Sequence, residues 1–103
     1  MQQWIYILQL QAQYTKHENW TDDTNRIVGE HLNYLKNLFE QGVVKFVGKT
    51  EYDIDHVDNR GISIFEAENE EQANRIMQND PCVTNGVMTA KVHPFRTVFN
   101  STS

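Results

Sequence analysis

Five side chains of this 103-residue sequence have types and settings that could do chemistry: His31, Asp80, Arg96, Glu51 and Tyr6. His31 lies in "NRIVGEHLNYLKNLFEQG", residues 25–42. At a helical step of about 100° per residue, Ile27, Val28, Leu32, Leu35, Leu38 and Phe39 fall on one stripe, with Arg26, Asn33, Lys36, Asn37 and Glu40 opposite. His31 falls near the middle of the apolar stripe. An imidazole titrates near neutral pH, so such a group can take a proton and return it; the competing reading is a core histidine with both ring nitrogens satisfied. Asp80 precedes Pro81, a good N-cap followed by a proline suited to the first helical position. Arg96 follows Pro94-Phe95 and is either a surface or interface cation or an anchor for a carboxylate or phenolate. Glu51 or Asp53, in the acidic stretch "TEYDIDHVDN", residues 50–59, could supply a pocket carboxylate. Tyr6, with Trp4 and Phe46, could line an apolar pocket for an aromatic ligand or fill the core or a dimer interface.

Other spacings carry no recognisable chemistry. Asp53, Asp55, His56 and Asp58 do not match a calcium loop, because Val57 stands where that pattern needs Asp or Asn and no Glu closes it. No paired His spacing or Cys cluster suits zinc. The single cysteine, Cys82, cannot form an internal disulfide and fits a reducing compartment. It reads as a bland, partly buried thiol. Gly42 and Gly48 are too far apart for a nucleotide loop. No metal and no cofactor is expected. His17 and His56 lie in polar loops and read as surface residues.

Hydrophobic content of 39% and charged content of 22% describe a globular chain. A formal net charge of −5 disfavours phosphate backbones, so no nucleic-acid partner is expected. No apolar run is long enough to span a membrane, and "MQQWIYILQLQAQ" alternates like a strand instead of reading as a secretory signal. A cytoplasmic protein with no membrane partner is the expectation.

The elements that must position these residues follow from periodicity and punctuation. Residues 3–11 alternate as a strand. Residues 13–22 form a polar loop, and Thr21, Asp22 or Asp23 can cap the His31 helix, which Gly42 closes. Residues 43–49 and 60–67 are strands. Asn69 caps a second helix with Glu70 and Glu71 in its first turn and Ala73, Ile76 and Met77 inward. "PCVTNG" is a short helical piece or turn, and residues 87–99 are a fourth strand. Pro94 marks a bulge, an edge or the end of that strand. Residues 1–99 are expected to form one domain, and residues 100–103 a flexible tail. The order β-α-β-β-α-β is that of an α+β, ferredoxin-like sandwich. Two helices cover only one face of such a sheet. Ile5 and Ile7 oppose Trp4, Tyr6 and Leu8, and Val43 and Val47 oppose Val44 and Phe46, so both faces call for burial. A homodimer would supply the second cover.

Taken together, "EHLNYLKNLFEQGVVKFVGK", "GISIFEAENEEQANRIMQNDP" and "NGVMTAKVHPFR" resemble the YCII-related (YciI-like) family. The matching pieces are His31-Leu32, Gly42, Gly48, Gly61, Glu70 to Ala73, Asp80-Pro81, Gly86-Val87 and Pro94-Phe95-Arg96, in order. The resemblance implies a ferredoxin-like fold that dimerises into an α/β barrel, and a pocket with a histidine–aspartate pair carried over to His31 and Asp80. Relatives often have a proline after the glycine of the second strand; here Gly48 is followed by Lys49-Thr50-Glu51, which puts the pocket rim and the substrate in question. With this resemblance, Asp80 either caps alone or caps and also orients His31, as a carboxylate orients the base in hydrolase triads.

Two functions compete. One is a cofactor-free lyase, isomerase or hydrolase acting on a small organic acid or phenol, with His31 as general acid/base and Asp80 as its orienter. The other is a non-catalytic small-molecule binding or sensor module. RNA binding, which shares this topology, lacks its stacking aromatics where Ile62 and Ile64 stand.

Overall fold

The computed structural model describes residues 1–101; part of the expected tail, residues 102–103, lies outside the described residues. The chain runs β1 (Gln2–Leu10), two 3-10 turns (Ala12–Thr15 and His17–Asn19), α1 (Asp22–Glu40), β2 (Val44–Lys49), β3 (Gly61–Ala67), α2 (Glu70–Gln78), a one-turn α3 (Pro81–Thr84) and β4 (Met88–Phe95). The four strands form one antiparallel sheet in the order β2-β3-β1-β4. This small α+β arrangement is compatible with a ferredoxin-like sandwich.

The helix boundaries follow local chemistry. Thr21 accepts from the Thr24 amide at 3.2 Å while Thr24 Oγ1 accepts from the Thr21 amide at 3.2 Å, a reciprocal cap. Gly42 then takes φ 79°, a left-handed conformation that costs most L-residues about 1 kcal/mol or more. Asn69 Oδ1 accepts from the Gln72 amide at 2.8 Å and starts α2. The polar 13–22 segment is more ordered than a plain loop. Two 3-10 turns and a bond from Trp20 Nε1 to the Tyr14 carbonyl at 2.8 Å fold it on itself.

One sheet face is covered by the helices. Trp4, Tyr6 and Leu8 of β1 and Phe65 and Ala67 of β3 are buried there against Leu35 of α1 and Ala73 and Met77 of α2. Burying each large apolar side chain contributes about 1.5–3 kcal/mol. Tyr6 and Phe65 meet edge to face, with ring centroids 5.5 Å apart. On the opposite face Ile5, Ile7, Ile62 and Ile64 are half-buried and Phe46 is 52% exposed.

Three expectations shift. Val44 and Phe46 do not share a face, because a bulge between them pairs Val44 with Phe65 and Phe46 with Ile64. Val44 and Val47 therefore both turn toward the helices. The fourth strand ends at Phe95 and not at Phe99: Phe95 is opposite Gln3, and β1 has almost no residues left to pair beyond it. Pro94 is tolerated because β4 is an edge strand. Finally, the buried stripe of α1 is Thr24, Ile27, His31 and Leu35, while Leu32 and Phe39 are 58% and 56% exposed.

Candidate functional site

His31 sits on the buried stripe of α1, and its Nδ1 lies 2.7 and 2.8 Å from the two oxygens of Asp80. Asp80 comes from the junction of α2 and α3, 49 residues later. Its extended backbone, φ −63° and ψ 125°, is the conformation favoured before proline, and its Oδ1 accepts from the Cys82 amide at 2.9 Å as the cap of α3. Tyr6, at the centre of β1, reaches the same carboxylate from below and donates to Oδ2 at 3.0 Å. Of the two alternatives for Asp80, the geometry is that of the second: it caps a helix and also binds the imidazole. Asp80 and Tyr6 are fully buried, and His31 is 6% exposed.

With Asp80 as a carboxylate, hydrogen bonding fixes the tautomer. The Cys82 backbone amide donates to it, the Tyr6 hydroxyl is placed to donate as well, and a carboxylate can only accept. Nδ1 therefore carries a proton donated to Asp80. In the neutral ring, Nε2 is then a bare lone pair, and it has no hydrogen-bond partner among the described residues. The negative charge is felt around the site. Burial, then Asp80, pushes the Tyr34 phenol and the Cys82 thiol each up to about 12, and the same two causes raise Tyr6 well above the usual phenol range.

His31 also lines a cavity of about 320 Å³ beneath α1, at the end of the sheet where β1 runs out and β2 turns toward β3. Its walls are apolar, with Leu8, Leu35, Val47, Ile62 and Met88 among them. Its charged lining residues are Lys49 and Arg60, and Asn59 joins them. The volume lies at the small end of the range for ligand pockets.

The sequence-derived candidates separate in this frame. His31 and Asp80 meet. Tyr6 joins them as a partner of Asp80, behind the imidazole and not on the cavity wall. Arg96 is exposed and follows the β4 residue paired with Gln3, whereas the cavity opens at Leu8 and Leu10, the other end of β1. Glu51 is exposed in the loop after β2 and does not line the cavity. Trp4 is in the core and Phe46 is on the uncovered sheet face. His17 and His56 are exposed, and His56 stacks on Tyr52 with ring centroids 3.8 Å apart. Sequence reasoning missed Lys49, Asn59 and Arg60 as lining residues. The only signal for them was position: they flank the ends of two strands expected to pair.

His31, Asp80 and Cys82 place one potential metal-ligating atom each within 4.8 Å of one another. The donor set does not fit a resident ion. Ligand atoms around a tetrahedral zinc with bonds of about 2.0–2.2 Å stand roughly 3.3–3.5 Å apart, whereas Nδ1 and Oδ1 stand at 2.7 Å, a hydrogen-bond distance.

Fold and site together describe a small α+β sandwich with a carboxylate-bound imidazole facing an apolar cavity. The YCII-related domain model matches residues 5–96, and the chain belongs to that family. Among solved structures, it is similar to 5-chloro-2-hydroxyhydroquinone dehydrochlorinase (TftG) from Burkholderia phenoliruptrix AC1100, in complex with 2,5-dihydroxybenzoquinone. The TM-score is 0.65 at 17% identity, over 91% of this chain and 93% of that one, a likeness of fold. No curated protein sequence matches the chain significantly. No helix among the described residues is long and apolar enough to cross a membrane.

Proposed function

We propose that the protein is a cofactor-free enzyme in which His31 performs general acid/base chemistry, oriented by Asp80, on a small organic acid or phenol held in the cavity. The observation that carries this reading is the 2.7 Å bond of His31 Nδ1 to a fully buried Asp80, which leaves Nε2 as the basic atom of a ring that lines an apolar cavity. Nε2 would take a proton from the bound molecule, the carboxylate would stabilise the imidazolium, and the proton would return to a neighbouring carbon or a leaving group. That cycle suits a lyase or an isomerase; in a hydrolase the same Nε2 would instead take the proton from a water attacking the bound molecule and pass it to the leaving group. Covalent catalysis by Cys82 is disfavoured by its burial and its raised thiol pKa. The dehydrochlorinase of similar fold is seen with a dihydroxybenzoquinone, which supports a single-ring molecule here.

The working form in this reading is a cytoplasmic homodimer closed into an α/β barrel. Its support is the half-buried band of Ile5, Ile7, Ile62 and Ile64 on the sheet face that the helices leave uncovered. Ile64→Lys should then convert a dimer to a monomer in light scattering; a wild-type monomer would refute the assembly.

A panel of single-ring phenols and carboxylates incubated in deuterated buffer, followed by proton NMR, tests the chemistry. The wild type should exchange, eliminate or isomerise at least one member, and His31→Ala should stop this with the fold retained by circular dichroism. Turnover surviving in His31→Ala would overturn the assignment. Saturable binding at His31 without turnover would instead favour a binding or sensor module, a role for which the same Nε2 need only accept a hydrogen bond.

A further inference from the structure

The cavity's charge is opposite to that of the chain. The protein carries 14 acidic residues against nine basic ones, yet no Asp or Glu lines the cavity and both its charged lining residues, Lys49 and Arg60, are cations. Both bind nearby backbone carbonyls, Arg60 from a half-buried position and Lys49 from an exposed one. Arg60 Nη1 donates to the carbonyls of Val57 and Asn59 at 2.7 and 2.9 Å, and Lys49 Nζ donates to the Thr50 carbonyl at 2.9 Å. The remaining guanidinium nitrogens have no partner among the described residues. Thr50 closes the loop beneath them: its amide donates to the Arg60 carbonyl at 2.9 Å, and its Oγ1 donates to the Asp58 carbonyl at 2.8 Å and accepts from the Arg60 amide at 2.9 Å. An anchor fixed before the ligand arrives loses less entropy on binding.

Asn59 also lines the cavity, but its unpartnered Oδ1 has almost no exposed surface and lies behind the wall, out of a ligand's reach. The volume sets the size of the molecule. A cavity of about 150 Å³ holds benzene, so one of about 320 Å³ accepts a single ring with substituents.

From these observations we propose that Lys49 and Arg60 form a specificity subsite that selects a single-ring carboxylate. The cations bind the carboxylate, and the apolar walls hold the ring against His31. The proposal rests on the reading of this cavity as the ligand site, and it moves the anchoring role from Arg96 to residues of the β2–β3 connection.

The test uses 2-, 3- and 4-hydroxybenzoate, benzoate and their methyl esters, with binding followed through the His31 ring signals and the amide spectrum of the full chain. At least one hydroxybenzoate should shift the His31 ring. It should bind about tenfold or more tighter than its ester. The double variant Lys49→Met, Arg60→Met should lose the preference for acid over ester. Arg60→Lys, which keeps the charge, should retain most of the acid preference. If hydroxybenzoates shift His31 but the double variant leaves the acid preference intact, the subsite is wrong while the cavity reading stands. If none of these compounds perturbs His31 in the wild type, both the cavity reading and the subsite fall.

Discussion

Asp80 accepts from three donors: the Tyr6 hydroxyl at 3.0 Å, the Cys82 amide at 2.9 Å and His31 Nδ1 at 2.7 Å. Two substitutions there separate its structural role from its chemical one. Asp80→Ala leaves all three donors without an acceptor in a buried site. At about 1–3 kcal/mol for each orphaned group, the loss is about 3–9 kcal/mol, against a total stability of about 5–15 kcal/mol for a domain of this kind. Asp80→Ala should therefore be marginal or unfolded at room temperature. Asp80→Asn keeps the cap, because Asn serves there as well as Asp, and it keeps one oxygen for the Cys82 amide. The tyrosine hydroxyl can rotate to accept instead of donate. The expected cost is only about 1–3 kcal/mol, from the lost charge assistance. Nδ1 then sits 2.7 Å from the retained oxygen and 2.8 Å from the NH2 that replaces the other; a proton on Nδ1 opposes that NH2, so the tautomer with the proton on Nε2 gains over the wild type. Any turnover found should fall by about three to four orders of magnitude, the scale seen when a triad carboxylate is replaced by its amide. Urea denaturation measures the stability of both variants, and nitrogen-15 NMR of the His31 ring reads the tautomer. A folded Asp80→Asn whose Nε2 remains unprotonated, or an Asp80→Ala as stable as the wild type, would refute the reasoning.

Other outcomes follow from the same structure. The Tyr34 phenol is held up to about 12, against about 10 in an unfolded chain. Folding keeps its proton where the unfolded chain releases it, so this contribution to stability is complete below pH 10 and is lost as pH rises from 10 toward 12. The urea midpoint should fall across that window, and less steeply in Tyr34→Phe; an equal slope in both would contradict the assignment. Cys82 is fully buried, with its thiol pushed up to about 12. It should resist iodoacetamide at pH 8 in the folded protein and react in denaturant, as mass spectrometry would report. Gly29 lies mid-helix with no atom within 4 Å of an added Cβ, so Gly29→Ala should stabilise the protein by about 0.5–1 kcal/mol. Gly42→Ala has as much space, but at φ 79° it should destabilise by about 1 kcal/mol or more. Denaturation midpoints moving in the same direction for both variants would show that backbone conformation is not what separates these glycines.

Much of this molecule was local enough to be legible in one dimension. Side-chain alternation, Thr21 and Asn69 as caps, Gly42 as a helix stop and Asp80 before Pro81 are decided within four or five residues, so the order of strands and helices could be read along the chain. His31 on an apolar stripe announced a buried imidazole for the same reason, although helical spacing made the stripe broader than the buried face proved to be. What spacing could not supply was the partner. Tyr6 and Asp80 are 74 residues apart and His31 and Asp80 are 49, and only the packing of α1 and α3 over β1 brings three separate segments to one carboxylate. The resemblance to the family suggested the His31–Asp80 pair; nothing in the sequence suggested Tyr6 as its third member. The cavity lining shows the same limit. Antiparallel register sends Arg96 to the end of the sheet at Gln3 and brings Asn59, Arg60 and Lys49 to the end at Leu8 and Leu10, while the bulge after Val44 turns Val47 inward. The sequence by itself determined the order of helices and strands and where the two long helices start and stop, because those choices rest on neighbours along the backbone; the end of β4 was set by where β1 runs out of residues to pair. The tertiary structure alone decided which polar groups meet and which cations line the cavity, because strand register and helix packing are set by contacts between segments far apart in the chain.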